Sequence, residues 1–150
     1  ACPVGFFTVE GSKQCFKYWN DYPRNWEESK FKCMDENLVL ASPSDEAAIA
    51  LRKYILDEYG DRVYLWLDGV VPKGRNPMMW QRNQTELRRD NPLWLRGEPM
   101  LCSKHEFLCG DLCLLMPIVQ ELVTFFPTQV YRTWDCAWYL GATLCEAIDV

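Results

Sequence analysis

Histidine is nearly absent from this 150-residue chain, His105 being the single one. Also missing is any pair of cysteines separated by two residues, the close spacing that zinc sites usually offer. The eight cysteines therefore point away from a metal cluster and towards disulfide bridges, which oxidising compartments preserve. No stretch reaches the roughly 18 consecutive apolar residues of a membrane-spanning helix, so membrane insertion is not expected. An excess of basic charge is lacking as well: 16 Lys and Arg stand against 21 Asp and Glu, a formal charge of -5. Phosphate neutralisation needs a basic face, so the balance argues against a nucleic-acid partner and against an anionic membrane surface. With one histidine there is no Ser-His-Asp arrangement. The cheapest remaining catalytic reading is a carboxylate pair among Asp57, Glu58 and Asp61, which solvated charge at the end of a helix explains better, so no enzyme is expected.

Repeats, low-complexity tracts and linkers are missing too, and Ala1-Cys2-Pro3-Val4-Gly5 lacks a charged and apolar export signal. The expectation is a mature chain forming one domain over residues 1–150, with 49% hydrophobic content sufficient for one core. What is present reads as mixed α and β. Trp26, Phe31 and Cys33 among Glu27, Glu28, Lys30 and Lys32, with Asn25 as a cap, predict a short amphipathic helix. Ser44-Asp45-Glu46-Ala47 opens a second helix carrying Ala48, Ile49, Leu51, Tyr54, Ile55 and Leu56 and ending near Gly60. Val63 to Leu67 predicts a buried strand closed by a turn at Asp68-Gly69, and two further strands are expected over Leu112–Met116 and Ala137–Glu146. Between the first and second of these strands lie about 40 residues rich in Pro, Gly, Asn and Arg, long for a structureless connection. Its tryptophans, Trp80 and Trp94, and its own Cys102 and Cys109 argue for an ordered, stapled binding surface.

Taken in order, these landmarks resemble the C-type lectin-like domain in its long form. The resemblance rests on Cys2 and Cys15 around Gly5-Phe6-Phe7, Trp26 ahead of Cys33, and Leu40-Ala41-Ser42-Pro43. It continues through Leu65-Trp66-Leu67-Asp68-Gly69, Gly110-Asp111-Leu112-Cys113, Trp134-Asp135-Cys136 and Leu144-Cys145-Glu146. Cysteine spacing alone leaves every pairing open. The resemblance implies Cys2 with Cys15, Cys33 with Cys145 and Cys113 with Cys136, leaving Cys102 with Cys109 as a staple of the long loop. It implies an α+β fold of two helices flanking antiparallel sheets, and a secreted, extracellular molecule.

Sugar-binding members of that family hold one calcium ion in a cage of carboxylates and amides, and calcium takes roughly 6 to 8 oxygen ligands. Here Glu98-Pro99-Met100 puts a thioether where the family has an amide, Asp111 is shorter than the usual Glu, and Trp134-Asp135-Cys136 lacks the Asn-Asp pair. The favoured expectation is a recognition module that binds a protein or a microbial or cell-surface ligand through the long-loop face without bridging calcium, in a context such as innate immunity. The alternative is a weakly calcium-dependent carbohydrate-binding lectin using Glu98, Asp111 and Asp135. Candidate ligand-binding residues are Glu98, Met100, Asp111, Trp94, Arg96 and Asp135, and the family often holds the bond before a proline in the place of Pro99 cis.

Other features leave two readings each. Ile118-Val119, Leu122-Val123, Phe125-Phe126-Pro127 and Val130-Tyr131 form a protein-binding patch if exposed, whereas burial is the commoner fate of such residues. Arg82, Arg88, Arg89 and Arg96 near Trp94 form an interface group or, more commonly, solvated loop charges. Asn83-Gln84-Thr85 fits the N-glycosylation acceptor pattern. The partner is thus expected to be a protein or glycan on an extracellular surface, with self-association compatible with the sequence.

Overall fold

The computed structural model describes residues 2–60, 62–71, 77–100 and 110–148, from which eight strands and three helices are built. β1 (Phe16–Arg24), α1 (Trp26–Asp35), β2 (Val39–Leu40) and α2 (Asp45–Tyr59) come first. They are followed by β3 (Val63–Val71), β4 (Met79–Trp80), β5 (Thr85–Glu86) and β6 (Leu112–Ile118). α3 (Gln120–Phe125), β7 (Arg132–Asp135) and β8 (Gly141–Glu146) complete the order.

α1 begins where the sequence predicts. The Asn25 side chain accepts from Glu28 N at 2.8 Å, and Glu28 reaches back to Asn25 N at 3.4 Å, which satisfies two donors that a helix start leaves without partners. Its buried face carries Ser29, hydroxyl to hydroxyl with Thr143 of β8 at 2.8 Å, and Cys33, bridged to Cys145 of the same strand. α2 buries Ala47, Ala48, Leu51, Ile55 and Arg52. The Arg52 guanidinium donates to the carbonyls of Gln129 and Phe126 at 2.6 and 2.7 Å, so a buried cation fixes the segment that follows α3. Burial pushes its pKa down from the ordinary guanidinium value.

The strands form one sheet in which β8 lies between β1 and β3, with β2 added to β8 and β6 joining β3 to β7. β3 and β8 run parallel and the other pairs run antiparallel. The expected antiparallel sheets are therefore one mixed sheet, and α3 adds a third helix among the described residues. None of the six residues of α3 is buried, so it has no apolar stripe for a sequence reading to find.

Two predicted boundaries move. Asp68-Gly69 is not a turn, because β3 continues through it to Val71. Gly69 serves packing instead: a Cβ there would come within 2.8 Å of Leu114 Cβ and 2.9 Å of Met78 Sδ. The strand expected from Ala137 begins only at Gly141, since the Asp135 side chain accepts from Ala137 N at 2.9 Å and holds a turn first. β1, β2, β4, β5 and β7 are strands the sequence reading did not find.

Each face of the sheet carries its own cluster. Val63, Leu65, Leu67, Leu114, Met116 and Ile118 pack with Phe16, Leu51 and Ile55 in the main core. On the other face Trp66, Cys113 and Leu115 are buried beneath Trp26, Val70, Trp134, Cys136 and Leu140. Trp66 lies against Gly141 and donates its indole N–H to Arg24 O at 2.8 Å. The bridges Cys2–Cys15, Cys33–Cys145 and Cys113–Cys136 are present as the resemblance implies. The Cys102–Cys109 pair lies outside the described residues, as does Asp61. Among the described residues no helix is long and apolar enough to cross a membrane.

Candidate functional site

The long loop is not loose where it meets β7. Leu95 N donates to Tyr131 O at 2.9 Å, the backbone N–H groups of Val130 and Tyr131 both donate to Leu93 O, and Arg96 N reaches the Gln129 side chain at 3.2 Å. Trp94 is the anchor. It is 5% exposed, packs edge-on to Tyr131, and donates its indole N–H to Arg88 O at 2.8 Å, so it supports the loop from beneath rather than presenting a ring to a ligand.

Glu98 lies at the end of this braced segment, joined to Pro99 by a cis peptide bond. Its carboxylate oxygen Oε1 accepts from Thr133 N at 2.8 Å, from Thr133 Oγ1 at 2.6 Å and from Met100 N at 3.2 Å. Thr133 is buried in β7, and its hydroxyl was not among the residues singled out from the sequence. No spacing rule announces it, because the contact spans 35 positions and joins a loop to an edge strand. Met100, by contrast, is 63% exposed.

Asp111 and Asp135 are brought together, but elsewhere. Both line a cavity of about 440 Å³ with Glu27, Trp26, Val70 and the Cys113–Cys136 bridge, where Leu112 pairs with Asp135 and Cys136 N donates to Asp111 O. Glu98 lines a different hollow of about 290 Å³ with Leu95, Arg96, Leu122, Phe126 and Arg132. Phe125 is exposed beyond it at 72%. The apolar stretch between Cys113 and Cys136 therefore divides: Ile118, Val130 and Tyr131 are core, whereas Phe125 and Phe126 reach the surface.

The arginine group divides too. Arg88 is paired with Asp90, both largely solvated. Arg82 donates to Glu146 Oε2 at 2.9 Å, and that buried carboxylate also accepts from Ser42 N and the Gln14 side chain. Arg82 N meanwhile donates to Asp68 Oδ2 at 2.7 Å. Burial raises the Asp68 pKa to about 6, a shift that the Arg82 N–H bond and the charges of Lys30 and Arg82 only partly offset. Asn83 is exposed, its side-chain oxygen accepting from Thr85 N and Oγ1 at 3.3 and 2.6 Å.

No protein-family model and no curated protein sequence matches the chain. Solved structures do. The cow CD23 C-type carbohydrate-recognition domain, determined in the presence of a GlcNAc2Man3 oligosaccharide, superposes with a TM-score of 0.68 at 17% identity over 100% of this chain and 98% of that one. Human lithostathine gives 0.71 at 15% identity over 99% and 92%. The chain has the C-type lectin-like fold. A calcium-independent type II antifreeze protein shares it, with a TM-score of 0.63 at 20% identity over 97% and 93% of the two chains. C-type lectin-like domains thus include glycan binders and proteins of other kinds, and the shared fold does not decide between them.

Calcium is the ion that this C-type lectin-like fold brings into question. Here Glu98 Oε1 is already committed to three protein donors, Met100 offers sulfur, and Asp111 and Asp135 line a separate cavity. Among the described residues no three acidic, cysteine or histidine side chains are grouped to hold a metal. The residues at Glu98 do not fit the calcium cage of a sugar-binding C-type lectin-like domain.

Proposed function

We propose that this domain is an extracellular recognition module that binds a protein or a microbial or cell-surface ligand through its long-loop face without a bridging calcium ion, in a setting such as innate defence. The observation that carries the reading is the set of three hydrogen bonds that close Glu98 Oε1 onto Thr133 and Met100. A carboxylate that holds its own loop to β7 is a structural clasp, and drawing it to a metal would cost those bonds.

The surface around the clasp has the composition of a protein interface. Leu122, Phe126 and exposed Phe125 supply apolar area, while Arg96 and Arg132 supply guanidinium groups at its edge. Aromatic residues and arginine are the types enriched where proteins bind one another. A glycan on Asn83 fits the same reading, since that side chain is exposed on a turn before β5.

The test is thermal unfolding of the purified domain in millimolar calcium and in excess chelator. A ligand at about 100 times its Kd adds about 2.7 kcal/mol, a shift of several degrees for a chain of this size. The expected result is coincident melting curves. An upward shift with calcium that Glu98→Ala abolishes would replace this reading with a calcium-dependent lectin built on Glu98, Asp111 and Asp135.

A further inference from the structure

Two hollows of the surface share one wall. Tyr64 of β3, Leu115 of β6, and Arg132 and Trp134 of β7 project to the second face of the sheet, because alternate residues of a strand share a face. With Leu140 they enclose about 230 Å³. The hollow of about 290 Å³ beside Glu98, walled by Leu95, Leu122 and Phe126, is lined by Arg132 as well. Arg132 therefore stands between two depressions whose other walls are mostly apolar. Each is at or below the roughly 300 Å³ at which small-molecule sites begin, room for one side chain rather than a whole ligand.

The charge at that divide is held in place but not neutralised. Half-buried Arg132 lies 4.5 Å above the Trp134 ring, and its one hydrogen bond among the described residues is a long one of 3.5 Å from Nε to Thr133 O. Its two terminal amino groups meet no acceptor there, although a guanidinium carries five N–H donors in a fork that matches a carboxylate. Arg96, in the larger hollow, is exposed and joins no ion pair among the described residues. The one acid in either lining is Glu98, whose Oε1 is already held to β7 by three donors. In a chain of formal charge -5 this is a local cationic spot between apolar walls.

We propose that the partner of this face is a protein that presents a short extended acidic segment, one carboxylate flanked on each side by an apolar side chain. The carboxylate pairs with Arg132 at the divide, one apolar side chain enters the hollow of Tyr64, Leu115 and Leu140, and the other enters that of Leu122 and Phe126. The walls select this chemistry. A ligand rich in hydroxyls would give up water to aliphatic surface without new hydrogen bonds, and a wholly apolar one would strip water from Arg132 and return no counter-charge. The proposal rests on the reading of the domain as a calcium-free recognition module and names the chemistry of its partner.

The experiment is a titration of the 15N-labelled domain, in excess chelator at fixed ionic strength, with the capped peptide acetyl-Gly-Leu-Ser-Glu-Ser-Leu-Gly-amide. Its Leu, Glu and Leu alternate and so share one side of an extended chain. A version with Gln for Glu, a version with Ser for both Leu, and sodium acetate complete the set. The Nε–H cross-peak of Arg132, assigned with Arg132→Lys, is followed. Saturable movement with the Glu peptide is expected, with the Gln version weaker by about tenfold because it lacks the charge-assisted contact, and with the Ser version and acetate weaker too. Arg132→Gln should bring the Glu and Gln peptides to equal affinity while distant peaks stay in place. Arg96→Gln should cost less, since exposed charges contribute less, and Leu122→Ser should weaken both peptides without changing their ratio. An Arg132 peak unmoved by the Glu peptide, equal affinity for its Gln version, or acetate bound as tightly as the peptide would each overturn the assignment and leave the calcium-free reading standing. A calcium-dependent rise in melting temperature that Glu98→Ala abolishes would strike that reading, and this partner with it.

Discussion

A Cβ added to Gly141 would stand 2.2 Å from Trp66 Cδ1 and 2.3 Å from its Nε1, and the indole cannot retreat because it is fully buried and bonded to Arg24 O. Overpacking usually costs about 1–3 kcal/mol, and a rigid ring held from behind puts Gly141→Ala at or above the upper end. Equilibrium urea unfolding should show the midpoint lowered accordingly; an unchanged midpoint would mean that the indole moves freely. Asp68 makes a prediction of a different kind. Its folded pKa of about 6 lies above the ordinary 3.8, so the folded state holds this proton more tightly than the unfolded chain does. The resulting stabilisation is fully present below about pH 4 and is lost as pH rises through about 6. Two units correspond to up to about 3 kcal/mol. Asp68→Asn should remove that dependence while its amide oxygen still accepts from Arg82 N, and parallel stability curves for the two proteins from pH 4 to 6.5 would refute this. The sequence could name Asp68 but misread it, because Asp-Gly signals a turn wherever no distant backbone donor is available to the carboxylate. Here Arg82, 14 positions away, supplies one.

Two of the three helices among the described residues were legible, and strands only partly so. α1 and α2 carry local signatures, a cap and an apolar stripe, that need no partner to be recognised. Asn25→Ala removes an acceptor of the α1 capping box and should cost about 1 kcal/mol, read as a lowered denaturation midpoint with unchanged slope. No loss of stability would show that water replaces the cap at no cost. β1 escaped because Asn20, Asp21 and Pro23 interrupt it and its register shifts between Trp19 and Arg24, so no alternation marks its length. β7 escaped because four residues are too few to show a period. The Ala137-Trp138-Tyr139-Leu140 run misled in the opposite sense: it is apolar, yet Trp138 and Tyr139 are exposed at 55% and 64%. Of the candidate site, the sequence supplied Glu98 and Arg96 and missed Thr133 and Arg132. Their roles arise only when β7 is laid beside the loop.

At the scale of the molecule the bridge Cys33–Cys145 spans 112 positions and ties α1 to β8 beneath the sheet. Chain-entropy arguments assign a loop of that length about 4 to 5 kcal/mol, comparable to the net stability of a small domain. Cys33→Ala should therefore abolish cooperative unfolding near body temperature, and a variant with a sharp thermal transition would contradict this. β8 has three strand neighbours, β1, β2 and β3. During synthesis it is the last of them to leave the ribosome, so β1 beyond Phe16, which bridges to Phe7, must wait for its strand partner until more than a hundred further residues have been made. Pairings so distant in sequence form slowly. The nascent chain thus holds a polar, interrupted first strand that resists premature association, and the same Asn20, Asp21 and Pro23 that hid β1 from sequence reading keep it from sticking to the wrong partner while it waits.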